Sequence, residues 1–330
     1  MNRGQTEAIR VLAVIPGSKD DINSMIFSRR QVQSLLEKGI DVRTFYLYDR
    51  SSIKALKQER KELGKLIREF KPMIIHSHYG TITALFCAFS SSLPLVITFQ
   101  GSDLNKTSSD GFLRDLMGRF FSHVAALKAS RLICVSNKLK EKFHLNKSKA
   151  SVVPIGININ EFQPVSKTEA RSYLNWNQQE KIILFNANNP KIKRLDMAEE
   201  TLELLKKTIP NARLEVLSGY VDPDKIPMLL NASDCLLLCS DSEGSPMIIK
   251  EALACNLPIV GIDVGDVVER IQGLDNCVIA EKDSVALANA IEPILKNNSR
   301  TEGRIRLIKD QLTEEDIAER IKQIYMSILN

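Results

Sequence analysis

Short apolar runs alternate along the first half of the chain with longer stretches of helical periodicity. Runs of strand length lie at residues 9–15, 42–47, 73–75, 95–99 and 132–135. Amphipathic stretches of helix length lie at residues 26–36, 53–70 and 112–128. Alternation of strand and helix in this way predicts a doubly wound parallel sheet.

The same alternation begins again after a polar segment at residues 162–164. Predicted strands lie at residues 181–185, 213–217, 235–239 and 258–262. Predicted helices lie at residues 195–207, 226–231, 284–296 and 313–329. We therefore predict an α/β protein with one domain in residues 1–164 and a second in residues 165–312, since 330 residues suffice for two domains of ordinary size.

The stretch 236–265 carries the most informative pattern, a strand, a polar turn, a helix and a second strand. Ser245 suits the N-cap position of this helix and Pro246 its first turn. The turn follows a strand, and ligands of open α/β sheets bind at the carboxyl ends of strands. The N–H groups of the helix N-terminus could hold a phosphate, while Glu243 and Glu251 could accept sugar hydroxyls. The alternative is that both are solvated surface acids.

The spacing of these two acids favours the first interpretation. Glu243 and Glu251 stand eight residues apart, with Gly-Ser-Pro after the first and Ala-Leu-Ala after the second. Similar flanking segments are Ala-Ser-Asp at 232–234, Pro-Ile-Val at 258–260 and Val-Gly-Asp at 264–266. This constellation resembles the signature of the retaining glycosyltransferases of family 4, which have the GT-B fold and use nucleotide sugars.

The resemblance implies a fold, a reaction and its partners. The expected fold is GT-B, with two Rossmann-like doubly wound parallel sheets facing a cleft. Residues 1–164 would form the acceptor side, residues 165–312 would bind the donor, and the last helix, about 313–330, would cross back to the first domain. The expected reaction moves a sugar from a UDP-, GDP- or ADP-sugar to a glycan or lipid-linked glycan hydroxyl in surface polysaccharide or glycolipid assembly. No metal and no further cofactor are expected.

Candidate site residues of the second domain follow from the same resemblance. The segment NANNPKIKRLD at 186–196 is similar to the family's donor-phosphate loop, so Lys193 and Arg194 are expected at the diphosphate. Glu243 is expected to face the donor sugar, and Glu251 the ribose. The other expected donor-binding residues are Gly244, Ser245, Pro246, Met247 and Ile248 at the phosphates and Gly219 near the base. For Lys193 the alternative is a solvated charge at a helix start.

Candidate site residues of the first domain are fewer. His78 and Asp103 are candidate catalytic residues with Lys193 and Glu243, because they lie in segments, 78–80 and 94–103, that are similar to those that end at the family's cleft. A buried, hydrogen-bonded structural role for His78 and a turn-forming or N-capping role for Asp103 stay open as alternatives. Gly17 is a candidate donor contact. The glycine pair that is common in the first loop of the family is either reduced to Gly17 here or replaced by residues around Asn23-Ser24.

Two other functions stay open. A sugar-nucleotide epimerase would share the architecture and act without an acceptor. A catalytically idle, donor-binding partner subunit is the second alternative. It is suggested by asparagines at 186, 188 and 189 where the family commonly has an arginine, and by Gln100 where a histidine is common.

Composition and charge add expectations about the partners and the cellular location of the protein. Residues 1–164 carry a net charge of +11 and residues 165–330 one of −6, which suggests an anionic surface or ligand for the first half. An anionic membrane is therefore a candidate partner, whereas no recognisable nucleic-acid module is present. The six cysteines have no metal-ligand spacing and are expected to be free thiols. We expect a cytoplasmic protein, with peripheral binding to the inner face of the plasma membrane as a hypothesis.

Overall fold

The computed structural model describes residues 8–21, 24–106, 111–144 and 146–330. The chain divides into two compact units. Unit 1 combines Met1–Gly156 with Glu314–Asn330, and unit 2 is Ile157–Thr313. The division lies before residue 164, the boundary expected from the polar segment. Asn23, a candidate for the first loop, lies outside the described residues.

Unit 1 is built on a parallel sheet with the strand order β2-β1-β3-β4-β5-β6. The strands are β1 (Arg10–Pro16), β2 (Asp41–Leu47), β3 (Ile74–Ser77), β4 (Leu95–Phe99), β5 (Arg131–Cys134) and β6 (Ala150–Val152). The helices between them are α1 (Ile26–Glu37), α2 (Ile53–Phe70), α3 (Thr81–Ser90), α4 (Phe112–Lys128) and α5 (Asn137–Lys140). The central strands are buried on both faces, as their continuous apolar runs require.

The C-terminal helix, Glu314–Leu329, packs within unit 1. Tyr325 is fully buried, and its hydroxyl lies 2.6 Å from Nδ1 of His76 on β3. Arg320 donates a hydrogen bond to the carbonyl of Val152 at the last strand of the sheet. Unit 1 is therefore assembled from two stretches of chain that are far apart in sequence.

Unit 2 is built on a second parallel sheet, with the order β11-β10-β9-β7-β8. Its strands are β7 (Lys181–Asn186), β8 (Ala212–Leu217), β9 (Cys235–Leu238), β10 (Ile259–Gly261) and β11 (Cys277–Ile279). Its helices are α6 (Lys167–Tyr173), α7 (Pro190–Lys193), α8 (Leu195–Lys206), α9 (Ile226–Ala232), α10 (Met247–Ala254), α11 (Val267–Ile271), α12 (Ser284–Asn297) and α13 (Gly303–Lys309). The C-terminal helix of unit 1 is accordingly α14.

A buried ion pair joins α6 to the sheet of unit 2. The guanidinium of Arg171 on α6, 1% exposed, lies 2.8 Å from the carboxylate of Asp234. Asp234 also accepts hydrogen bonds from the Ile182 N–H and from Lys167. Asp234 ends the Ala-Ser-Asp segment of the family signature, and these bonds show that it holds the entry to β9 in place.

Both sheets reverse their winding direction at one point. In unit 1 the reversal lies between β1 and β3, and in unit 2 between β7 and β9. Ligands of open α/β sheets bind outside the carboxyl ends of the strands at such a point. The segments that leave those strands are therefore where functional residues are expected in each unit.

Two findings bear on partners and metals. In the part of the chain that the structure describes, no helix combines the length and the hydropathy needed to span a bilayer. No three His, Cys, Asp or Glu side chains among the same residues are grouped as a metal-binding set. Five cysteines are buried, Cys277 is half-buried, and all six are free.

Candidate functional site

Helix α10 begins one residue later than the sequence predicted. Pro246 occupies the N-cap with an extended backbone rather than the first helical position, and no side chain of the described residues caps the helix. Ser245, the predicted N-cap, donates its hydroxyl proton to Oδ2 of Asp266, 2.8 Å away. That prediction was wrong because the serine serves a contact between two loops that its local sequence does not reveal.

Glu251 is distinguished from the rest of α10 by its exposure. The other residues of the helix, Met247–Lys250 and Ala252–Ala254, are buried, and Glu251 alone in α10 is partly exposed. The helix is therefore embedded in unit 2 and presents one carboxylate to solvent, one turn from its own N-terminus. A carboxylate held by a fully packed helix is a rigid acceptor for paired hydroxyls.

Lys193, the last residue of α7, and Glu243, in the loop after β9, come together although they are 50 residues apart in sequence. Nζ of Lys193 lies 2.5 Å from Oε1 of Glu243, and both side chains are mostly buried, at 18% and 12% exposure. The N–H of Asp241 also donates to the carbonyl of Ile192 on α7, so the two segments are joined through the backbone as well. These segments follow β7 and β9, the strands at the reversal point of the sheet.

Arg194, which follows Lys193, is directed to carboxylates of its own unit. Its guanidinium lies 2.9 Å from Asp196 in the first turn of α8 and 3.5 Å from Asp241. The hydrogen bond with Asp196 raises the pKa of Arg194 and lowers that of Asp196. The charge of Arg194 is therefore compensated within this loop, and a role in donor binding stays a prediction.

Gly265 explains how the Glu243 loop keeps its shape. Its backbone has a φ of +56°, and a Cβ atom there would stand 3.0 Å from the Gly244 carbonyl oxygen and 3.1 Å from Cβ of Glu243. Glycine therefore satisfies two requirements, a left-handed conformation and a close approach of two loops. The Val-Gly-Asp segment, which follows β10, thus packs closely against the Glu243 loop.

Gly219 lies in the loop after β8, at the edge of the same sheet. Its φ is +65°, and the space around its α-carbon is open. Tyr220, next to it, is strongly exposed. The loop therefore offers backbone groups and an aromatic ring to solvent.

Lys250 is a residue that the sequence analysis missed. It is fully buried on α10, one position before Glu251, with Nζ 3.5 Å from Sδ of Met247. Burial lowers its pKa from 10.5 to about 8, although the nearby Asp266 carboxylate acts in the opposite direction. The position of a lysine among the apolar residues of α10 was the feature of the sequence that could have indicated a buried charge.

His78 occupies the reversal point of unit 1. It is fully buried at the end of β3, and its ring stacks on that of His76 with the centroids 4.1 Å apart. Neither ring nitrogen has a hydrogen-bond partner among the residues the structure describes. Burial lowers its pKa to about 3, so the ring is neutral at physiological pH. The hydrogen-bonded structural histidine offered as an alternative is therefore not what is observed.

Asp103 ties the ends of two segments together. Its buried carboxylate accepts hydrogen bonds from the N–H groups of Gly80, Gln100 and Gly101. Burial raises its pKa, while these bonds partly oppose the rise. The arrangement is that of the turn-forming alternative, and a catalytic role for Asp103 stays a prediction.

Gly17 and Gln100 complete this end of unit 1. Gly17 follows β1 with a φ of +113°, and its N–H donates to the carbonyl of Leu47. Gln100 donates from its side-chain amide to the His78 carbonyl and to the hydroxyl of Ser28 on α1, both at 2.9 Å. Gly17 and His78 thus follow the two strands at the reversal point.

Comparison with solved structures identifies the fold class. The structure of HepE from Anabaena in complex with UDP superposes with a TM-score of 0.72 at 15% identity, over 97% of this chain and 100% of that one. The two doubly wound parallel sheets are those of the GT-B fold, which confirms the predicted fold class.

Sequence comparison identifies the family. Residues 17–161 match Glycosyltransferase Family 4, and residues 194–297 match Glycosyl transferases group 1. The two models together match most of the chain, which identifies it as a glycosyltransferase and confirms the predicted resemblance to family 4.

Two relatives illustrate the range of the family. A protein of Bacillus subtilis (strain 168), provisionally named as the teichuronic acid biosynthesis glycosyltransferase TuaC, is 28% identical over 78% of this chain and 71% of its own length. The UDP-Gal:alpha-D-GlcNAc-diphosphoundecaprenol alpha-1,3-galactosyltransferase of Escherichia coli is 22% identical over 83% of this chain and 78% of its own length.

Proposed function

We propose that this glycosyltransferase moves a hexosyl group from a nucleoside diphosphate sugar to a hydroxyl acceptor, with retention of the anomeric configuration. The observation that carries the proposal is the arrangement in unit 2. Glu251, the one partly exposed residue of α10, follows a helix N-terminus that no side chain of the described residues caps, and the Lys193–Glu243 pair lies in the segments that follow the strands at the reversal point.

Each group has a definite task in this proposal. The N–H groups at the start of α10 hold the diphosphate, because unpaired donors and the helix dipole favour an anion there. Glu251 accepts hydrogen bonds from the ribose hydroxyls. The ammonium of Lys193 stabilises the charge that develops on the diphosphate as the bond from C1 of the sugar to the phosphate oxygen breaks. Glu243 orients that ammonium and accepts a hydrogen bond from a hydroxyl of the donor sugar.

The transfer itself needs no protein nucleophile. The acceptor oxygen forms its bond to C1 on the face that the diphosphate leaves, and the acceptor proton passes to the departing phosphate oxygen. Bond formation on the same face retains the configuration. Lys193 contributes most here, since a fixed cation acts more strongly on the charged transition state than on the bound donor.

The base and the acceptor are proposed at the level of chemical class. We propose that the base of a UDP-, GDP- or ADP-sugar lies on the Gly219 loop, where Tyr220 offers an aromatic surface for stacking. The acceptor is a glycan or a lipid-linked glycan of surface polysaccharide or glycolipid assembly. The names of the two relatives, one in teichuronic acid biosynthesis and one acting on a diphosphoundecaprenol-linked sugar, support this class of acceptor.

A pair of substitutions tests the proposal. Glu251→Gln retains the size of the side chain but loses the negative charge, so nucleoside diphosphate binding should weaken at least ten-fold, since hydrogen bonds to a charged acceptor contribute about 1.5–3 kcal/mol. Glu243→Gln should leave nucleoside diphosphate binding near wild type and lower sugar transfer. Binding is measured by calorimetry with UDP, GDP and ADP, and transfer by nucleotide release with and without acceptor.

The control for this pair is Glu199→Gln, which changes an exposed acid on α8. It should alter neither measurement. Nucleotide binding by Glu251→Gln at the wild-type level would disprove the ribose role. Turnover of the sugar nucleotide without acceptor would instead favour the epimerase, and binding without any turnover would favour the idle subunit.

We further propose that the transfer requires no metal cofactor. Lys193 and the N-terminus of α10 together supply positive potential where a divalent cation would otherwise balance the diphosphate. Transfer should therefore be unchanged after dialysis against EDTA. A loss of transfer that Mg²⁺ or Mn²⁺ restores would contradict this.

A further inference from the structure

Helix α4 of unit 1 packs on its neighbours through small side chains. Ser122, Ala125 and Ala126 are buried on its inner face. A Cβ atom at Gly118 would stand 3.3 Å from Cγ2 of Thr81 on α3, so the two helices lie close together at this point. The inner face of α4 therefore packs through small residues that let the backbones of the two helices lie close together.

The large apolar side chains of α4 point outward. Leu113 is 72% exposed and Phe120 is 63% exposed. Other exposed apolar residues on the same helix are Leu116, Met117 and Leu127. Their spacing of three, four and seven residues places them on one face, so they form a continuous stripe along the helix. We call these five residues the α4 stripe.

This distribution is the reverse of that in an ordinary packed helix, whose large apolar residues face the core. Phe89 on α3, which packs against α4, is also exposed and extends the apolar surface. Single exposed apolar residues are common, but a contiguous patch of this kind marks an interaction surface.

The α4 stripe is bordered by cations. Arg114 is exposed within it, and Nζ of Lys128 lies 3.9 Å from the ring centroid of Phe89. Burial is the chief cause that lowers the pKa of His123 on α4. The positive charges of Lys142 and Arg119 lower it further. Positive charge therefore forms a rim at the two ends of the stripe, at Arg114 and at Lys128.

The one acidic residue of α4, Asp115, balances one of the nearby cations. It is buried and lies 2.9 Å from the guanidinium of Arg119. Arg50, before α2, adds a further cation near Arg114. The net charge of unit 1 as a whole, counted over both of its stretches, is +10.

We propose that the α4 stripe docks on an anionic lipid bilayer, with its apolar side chains in the interface and its cations at the headgroups. An apolar stripe with basic neighbours is the pattern of helices that lie in the plane of a membrane surface. A second copy of this chain fits less well, because a symmetric contact through the stripe would oppose the two basic rims. The inference rests on the surface of unit 1 alone and does not depend on the proposed reaction.

The test is vesicle flotation of the full chain without nucleotide sugar. Wild type should bind vesicles of phosphatidylcholine with phosphatidylglycerol more tightly than phosphatidylcholine alone, and added salt should weaken that binding. Phe120→Gln should lower the partition about ten-fold, and Arg114→Gln about five-fold. The matched controls, Ile305→Gln and Lys207→Gln on exposed faces of unit 2, should bind as wild type.

A fluorescence measurement locates the contact. Phe120→Trp should show a blue shift on anionic vesicles, read as a difference from wild type, whose sole tryptophan is Trp176 in unit 2. Thermal unfolding should show that each variant is folded. Equal partition of wild type onto both vesicle types, or wild-type partition of Phe120→Gln, would overturn the proposal. A wild-type dimer in solution that Phe120→Gln dissociates would overturn it as well and assign the stripe to a second copy.

Discussion

Lys250 shows how one buried charge affects stability. Its pKa of about 8 lies below the ordinary 10.5, so between these values the unfolded chain holds more protons than the folded one. Stability must therefore rise with pH through this window. At neutral pH the buried ammonium is a cost, because desolvation opposes the charged form.

Lys250→Met tests this cost. It should stabilise unit 2 by about 1–3 kcal/mol at pH 7, and the gain should disappear as the pH approaches 10.5, because the folded wild type is then neutral at this position. Urea unfolding at both pH values, followed by Trp176 fluorescence, measures it. Lys207→Met, on an exposed face, is the control. A gain of equal size at both pH values would show that packing rather than charge is responsible.

Glycine at position 265 has a consequence for activity that can be measured separately from binding. Gly265→Ala places a methyl group 3.0 Å from the Gly244 carbonyl oxygen in a left-handed backbone conformation. The Glu243 loop must shift, so sugar transfer should fall at least ten-fold, since small misplacements of catalytic groups are costly. Gly273→Ala has a similar positive φ but open space around it, and it should retain transfer. Equal effects of the two changes would point to backbone strain alone.

At the scale of elements, long amphipathic segments were predictable. The bounds of α2 agree with the sequence pattern because Ser52 accepts a hydrogen bond from the Ala55 N–H at the start and Lys71 adopts a left-handed conformation at the end. The bounds of β4 agree because its apolar run is buried throughout. In both elements, local sequence and tertiary burial favour the same limits.

Short elements were not predictable in the same way. Helix α7 has four residues, too few for a periodic signal, and it lies between left-handed Asn189 and Arg194. Neither residue is glycine, so the sequence did not mark the turn. Yet α7 positions Lys193, and the charged pair with Glu243 depends on it.

The sequence indicated candidate residues for the site but not the contacts between them. The spacing of Glu243 and Glu251 identified the family, and the comparisons confirmed it. The pairing of Glu243 with Lys193 and the buried state of Lys250 depend on tertiary packing. The same holds for Ser245, which bonds Asp266 because a distant loop lies beside it.

At the scale of the whole molecule, the two units have opposite charge. Unit 1 carries a net charge of +10 and unit 2 one of −5. In the proposed reaction, binding of an anionic donor would therefore depend on the local cations and helix dipole of unit 2 rather than on the overall field of that unit. The positive unit is the one that presents the α4 stripe.

Unit 1 is assembled from two stretches of chain that are far apart in sequence, and this determines the order in which the two units fold during synthesis. Tyr325, the hydroxyl partner of His76, is translated after the whole of unit 2. Nascent unit 2 should therefore become resistant to protease while unit 1 is still sensitive, although unit 1 begins first. Ribosome-bound chains arrested at residue 313 and at the end of the sequence, then treated briefly with protease, would report this order. Equal protection of both units at residue 313 would show that α14 is dispensable for closing the first sheet.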